Sequence, residues 1–193
     1  MTPGLLIHGR GRPVEEMMAI AGRIGLDTVR WTAPAAPGGQ WYPHRFTGPV
    51  AANEPALSDA VALCDAALSE ASGHRQIPPR DIVVLGFSQG ACLASEYVLR
   101  HADRCRTLVM LTGGLIGPLD RDWQPANGSS LQGLRVLITG SDADTWVTEE
   151  RVRHAAGVLA RLGADVDLHI YPGRDHSVSD DEIARARALI AGR

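Results

Sequence analysis

Gly86-Phe87-Ser88-Gln89-Gly90 sets a serine between two glycines, directly after the apolar run Ile82-Val83-Val84-Leu85. In a strand-to-helix turn this sharp, the central residue takes a strained backbone conformation that pushes its side chain into the open. The flanking glycines remove the Cβ atoms that would collide across the turn. Ser88 then stands at a helix N-terminus, where free N–H groups and the dipole favour developing negative charge. The chemistry such a residue offers is nucleophilic attack on an acyl carbon. A free serine hydroxyl is a poor nucleophile, so a base and an acid that orients it are also required.

Both have places. With this kind of turn the order along the chain is serine, acid, histidine, the last two on loops after later strands. Gly140-Ser141-Asp142-Ala143-Asp144 follows the strand ending at Thr139, and Pro172-Gly173-Arg174-Asp175-His176 follows the strand ending at Tyr171. His176 is the candidate base; the other histidines lie upstream of Ser88, on helical segments or within a strand. Asp142 and Asp144 are both available as the acid. Asp175 adjoins His176, so its side chain diverges from the ring, and Asp120 and Asp122 follow an earlier strand. The aspartate that is not the acid reads as turn chemistry.

A tetrahedral acyl intermediate also needs two N–H donors aimed at its oxygen. The Gln89 amide supplies one, and the Arg10 amide in His8-Gly9-Arg10-Gly11 supplies the other, with its guanidinium directed elsewhere. The same glycines resemble the opening of a dinucleotide fingerprint, but Val14 stands at its third glycine position. Trp31-Thr32 stands where its ribose-binding acid belongs, so that reading fails.

These residues must be positioned by alternating strands and helices. Leu5–Ile7, Thr28–Trp31, Ile82–Leu85, Thr107–Leu111, Arg135–Thr139 and Val166–Tyr171 read as strands. Helices are expected from Pro13 to about Ile24, from Glu54 to about Ala71, from Gln89 to Arg100, after a Thr148 cap, and from the Ser179-to-Glu182 capping box to about Ala191. The pattern predicts one α/β domain over residues 1–193, with about six mostly parallel strands sandwiched by helices. Two irregular stretches could shape an acyl pocket, one carrying Trp41 and Tyr42 and the other Leu115. The alternative is that these side chains fill the core.

Composition sets exclusions. The chain has 193 residues, a net charge of −3, 45% hydrophobic and 21% charged residues, and all 19 of its basic residues are arginine. Without lysine there is no Schiff-base or pyridoxal chemistry, no phosphate-binding loop lysine and no Ser-x-x-Lys nucleophile. The acidic balance argues against nucleic acid as a partner. Cys64, Cys92 and Cys105 are an odd, widely spaced set that reads as reduced thiols in a cytoplasmic protein. No apolar run approaches a secretory or membrane-inserting length, and no cofactor or metal is implied.

The same residues resemble the phospholipase/carboxylesterase family of α/β-hydrolases, which includes the acyl-protein thioesterases. His8-Gly9 looks like the family's oxyanion loop, and Gly86-Phe87-Ser88-Gln89-Gly90 like its nucleophile elbow. His176-Ser177-Val178 is similar to its histidine loop, and Asp144-Thr145-Trp146-Val147 to its Asp-x-x-Val acid loop, which selects Asp144. Gln40-Trp41-Tyr42-Pro43 and Asn53-Glu54-Pro55 resemble a bacterial branch of small esterases. Arg10 and Thr148 depart from the family pattern, and its opening antiparallel strands have no counterpart. The resemblance implies an α/β-hydrolase fold, here in a minimal form, since the sequence shows no helical insertion long enough for a lid domain. It also implies a serine carboxylesterase, and the missing lid points to small-molecule esters of short to medium acyl length. A thioesterase or lysophospholipase with the same triad, and a non-catalytic binding module on the same fold, are the alternatives.

Overall fold

Strand β3 (Ile82–Phe87) is buried along its whole length and alternates between two cores. Ile82 and Val84 face one side of the sheet, and Val83, Leu85 and Phe87 face the other. That is what a continuous apolar run is for: a strand covered on both faces. The computed structural model describes residues 1–192.

Around β3 stand β1 (Thr2–Ile7), β2 (Val29–Thr32), β4 (Cys105–Leu111), β5 (Arg135–Ser141) and β6 (Asp165–Tyr171), in the order β2-β1-β3-β4-β5-β6. Each neighbouring pair is parallel. Helices α1 (Val14–Ile24) and α5 (Asp180–Ala191) seal one face, where Met17, Ile20, Ile183 and Ile190 meet Leu6, Val109 and Leu137. Helices α2 (Ala56–Ala71), α3 (Gln89–Arg100) and α4 (Glu149–Arg161) seal the other, where Leu57, Leu93 and Leu159 meet Leu5, Met110 and Ile138. This is a minimal α/β-hydrolase fold. All strand C-termini open at one edge, where such sheets place their ligands.

Several element ends differ from the sequence expectation. β1 starts at Thr2 because Thr2–Gly4 pair with Val29–Trp31, a contact that three weakly apolar residues do not announce. Pro13 sits just before α1 rather than inside it. Thr148 occupies the N-cap of α4 without a side-chain cap bond; Glu149 and Glu150 in the first turn complement the dipole instead. Ser179 and Glu182 do form the expected capping box. Among the described residues no helix is long and apolar enough to cross a membrane.

Candidate active site

Ser88 has φ 56° and ψ −121°, a left-handed conformation held by its neighbours. A Cβ on Gly86 would lie 2.3 Å from the Gly90 carbonyl oxygen, and one on Gly90 would lie 2.1 Å from the Ile7 carbonyl oxygen. No side chain fits either place, so glycine is required on both sides of the serine.

The later loops bring His176 and Asp144 to Ser88. His176 Nε2 lies 2.8 Å from Ser88 Oγ, and its Nδ1 lies 2.5 Å from Asp144 Oδ2. Asp144 Oδ1 accepts the amides of Trp146 at 2.8 Å and Val147 at 3.0 Å. Burial pushes the Asp144 carboxyl up, but the Val147 amide, the His176 ring and the Trp146 amide together hold it below its ordinary value. An ionised carboxylate only accepts, so Nδ1 carries the ring proton and Nε2 is left to accept from the Ser88 hydroxyl. Asp142 does something else: its Oδ1 accepts the Gly173 amide at 2.7 Å, joining the two loops.

Arg10 and Gln89 flank the same serine. Among the described residues neither backbone amide has an acceptor in the protein. The Arg10 guanidinium turns aside to Gln40 Oε1 and to the carbonyls of Tyr42, Pro43 and His44. The His8 ring is pinned as well: Nε2 accepts the Ala36 amide at 3.0 Å, so Nδ1 carries the hydrogen toward the Gly9 carbonyl.

A cavity of about 540 Å³ opens over Ser88 and His176, walled by Tyr42, Phe46, Cys92, Trp146 and Val147 among others. Two expected pocket residues are not in its wall. Trp41, 3% exposed, lies behind the oxyanion loop, where its Nε1 donates to the His8 carbonyl at 2.7 Å. Leu115, 1% exposed, packs into the core. Both sit in irregular segments, whose inward and outward faces have no period to read. Phe46, Cys92 and Trp146 line the cavity and were not singled out from the sequence; Trp146, large, apolar and inside the acid-loop motif, carried the clearest signal. Among the described residues no cluster of His, Cys, Asp or Glu side chains is placed to hold a metal.

The family model described as Phospholipase/Carboxylesterase matches residues 5–192. A phospholipase/carboxylesterase from Dyadobacter fermentans is 34% identical, with 98% of this chain and 90% of that chain covered and a TM-score of 0.87. The chain belongs to the phospholipase/carboxylesterase family. Two further structures share its fold. SOBER1 of Arabidopsis thaliana is 21% identical over 99% of this chain and 98% of its own, at a TM-score of 0.77. A carboxylesterase from Mesorhizobium loti is 24% identical over 100% of this chain and 89% of its own, at 0.75. The comparison with curated proteins found no match.

In this member of the hydrolase family, a buried polar network fastens the histidine loop. Arg174, two residues before His176, donates from Nη2 to Thr112 Oγ1 at 2.9 Å and approaches Glu182 Oε2 at 3.4 Å. Glu182 is fully buried and also accepts from Thr139 Oγ1 at 2.5 Å and from the Ser179 amide at 2.8 Å. Ser141 Oγ donates to the Arg174 carbonyl at 2.6 Å. The capping glutamate of α5 thus anchors the loop that carries His176, a role beyond the helix signature seen in the sequence.

Proposed function

We propose that the protein is a serine carboxylesterase that hydrolyses small-molecule esters of short to medium acyl length. The observation that carries this reading is the single His176 ring bridging Ser88 Oγ and Asp144 Oδ2. Ser88 Oγ attacks the ester carbonyl while His176 Nε2 takes its proton; Asp144 holds the ring tautomer and steadies the imidazolium. The Arg10 and Gln89 amides receive the oxyanion. Collapse of the intermediate expels the alkoxide, which takes the proton from His176 and leaves as the alcohol. A water then attacks the acyl-enzyme with the same assistance, releasing the acid and restoring Ser88. No lysine, metal or cofactor takes part. Trp41 acts from behind the oxyanion loop and Tyr42 from the cavity wall.

Three buried free cysteines fit the reducing cytoplasm as the proposed location. Replacing Ser88 by Ala should lower kcat on p-nitrophenyl butyrate on the order of 10⁴-fold. Unchanged activity in that variant would overturn the mechanism. Activity that climbs from acetate through butyrate to a palmitate maximum would overturn the chain-length assignment.

A further inference from the structure

Ester hydrolysis by itself does not account for the charge around the cavity. Arg10 and Arg45 are among its lining residues, and the Asp144 carboxylate stands behind the lining His176, taken up by that ring and by the Trp146 and Val147 amides. The acceptors that hold Arg10 are an amide oxygen and three carbonyls, all neutral. Arg45 is exposed, and among the described residues its guanidinium has no hydrogen-bond or ion-pair partner. Behind the wall, buried Arg151 lies 5.2 Å from the Phe46 ring and donates to the carbonyls of Leu115 and Gly117. Its partners are neutral too.

The strand of chain bearing Arg45 is fixed in place. Buried Asn53 accepts the His44 amide at 2.8 Å, the Gly117 amide donates to the Phe46 carbonyl at 2.7 Å, and Gln89 and Arg10 hold Tyr42. Guanidiniums with neutral partners or none, at a concave and partly apolar wall, bias the potential at the cavity mouth toward positive. Phe46, Trp146 and Val147 offer apolar contact for the body of an ester, and the arginines offer a counter-charge for a group attached to it.

We propose that the substrate is an anionic ester, with Arg45 as a specificity-determining cation at the mouth. The proposal rests on the serine esterase reading and names its substrate class. Guanidinium recognition does not depend on which side of the ester carries the anion, so three probes are needed. Phenyl hexanoate is the neutral reference, phenyl hydrogen adipate carries a carboxylate on the acyl side, and para-carboxyphenyl hexanoate carries one on the leaving group. At low ionic strength at least one anionic probe should exceed the reference about tenfold in kcat/KM, and the better one locates the anion. The anionic-to-neutral ratio should fall toward one as salt rises to about 1 M. It should fall at least about tenfold in Arg45→Glu.

A ratio near one in the unmodified protein, or a ratio insensitive to either change, overturns the proposal. If Arg45→Glu does not melt cooperatively, Arg45→Gln and the salt series decide in its place. Labelling of Ser88 by a fluorophosphonate, read by mass spectrometry, separates the two levels. An unlabelled Ser88 overturns the esterase reading, whereas a labelled Ser88 with no anionic preference overturns the substrate class alone.

Discussion

Arg10 and Gln89 donate side-chain hydrogen bonds to one shared acceptor, the Tyr42 carbonyl oxygen, at 2.8 Å and 2.9 Å. Gln89 also accepts the Trp41 amide at 3.1 Å. The two residues whose amides we propose as the oxyanion donors are therefore cross-tied through a third, and the cavity wall is tied with them.

Gln89→Ala keeps the backbone amide and removes the tie. A loosened donor loses aim more than it loses binding, so kcat should fall about tenfold to a hundredfold while KM moves little. Steady-state kinetics on p-nitrophenyl butyrate measure the split; a pure KM effect would show that the tie shapes the pocket instead.

Position 88 should invert the usual ranking of alanine over glycine. At φ 56° any Cβ is strained, so Ser88→Gly should be more stable than Ser88→Ala by about 1 kcal/mol, with both inactive. Thermal or urea unfolding of the two variants gives the order directly.

Asp144 links the site to acid stability. Its folded pKa lies below its unfolded value, so the ionised form adds stability above about pH 4 that is lost as pH falls through the lower folded value. Asp144→Asn should flatten that part of the stability profile. The variant should also lose about 10⁴-fold in kcat, because an amide can donate to Nδ1 and favour the wrong tautomer. Urea midpoints between pH 3 and about 7 check the first effect.

The cysteines should be inert while the protein is folded. Burial pushes the Cys64 and Cys105 thiols up to about 12 and Cys92 up to about 11. At pH 8 the most acidic of them is about 0.1% thiolate. Iodoacetamide should therefore leave all three unmodified for hours in buffer and alkylate them within minutes in denaturant. Rapid modification of Cys92 in the native protein would show that the cavity opens past Tyr42.

The sheet and the loops carrying Ser88, Asp144 and His176 were legible because each leaves a regular mark. Ile82–Leu85 is apolar at every position, and a strand C-terminus dictates where Ser88, Asp144 and His176 can meet. On the residues alone Asp142 and Asp144, in one loop, were not separable. The resemblance to the Asp-x-x-Val loop singled out Asp144, and the structure sets Asp144 against His176 Nδ1 while Asp142 takes the Gly173 amide. Trp41, Leu115, Phe46 and Arg45 lie in segments without period, where burial is settled by long-range packing that no local pattern encodes. Glu182 read as a helix cap and Arg174 only as part of the loop before His176, and their meeting depends on how α5 docks.

That docking gives the chain an order of assembly. The elbow at Ser88 is framed by β1, β3, α3 and β4, whose Leu111 carbonyl accepts the Ser88 amide at 3.0 Å. The base comes with residues that Glu182 holds from the final helix. During synthesis Ser88 and the elements that frame it therefore emerge well before His176 and the helix that fastens its loop. A truncated or partly folded chain would carry Ser88 in place yet remain chemically silent, and competence would appear only when the last helix closes on the sheet.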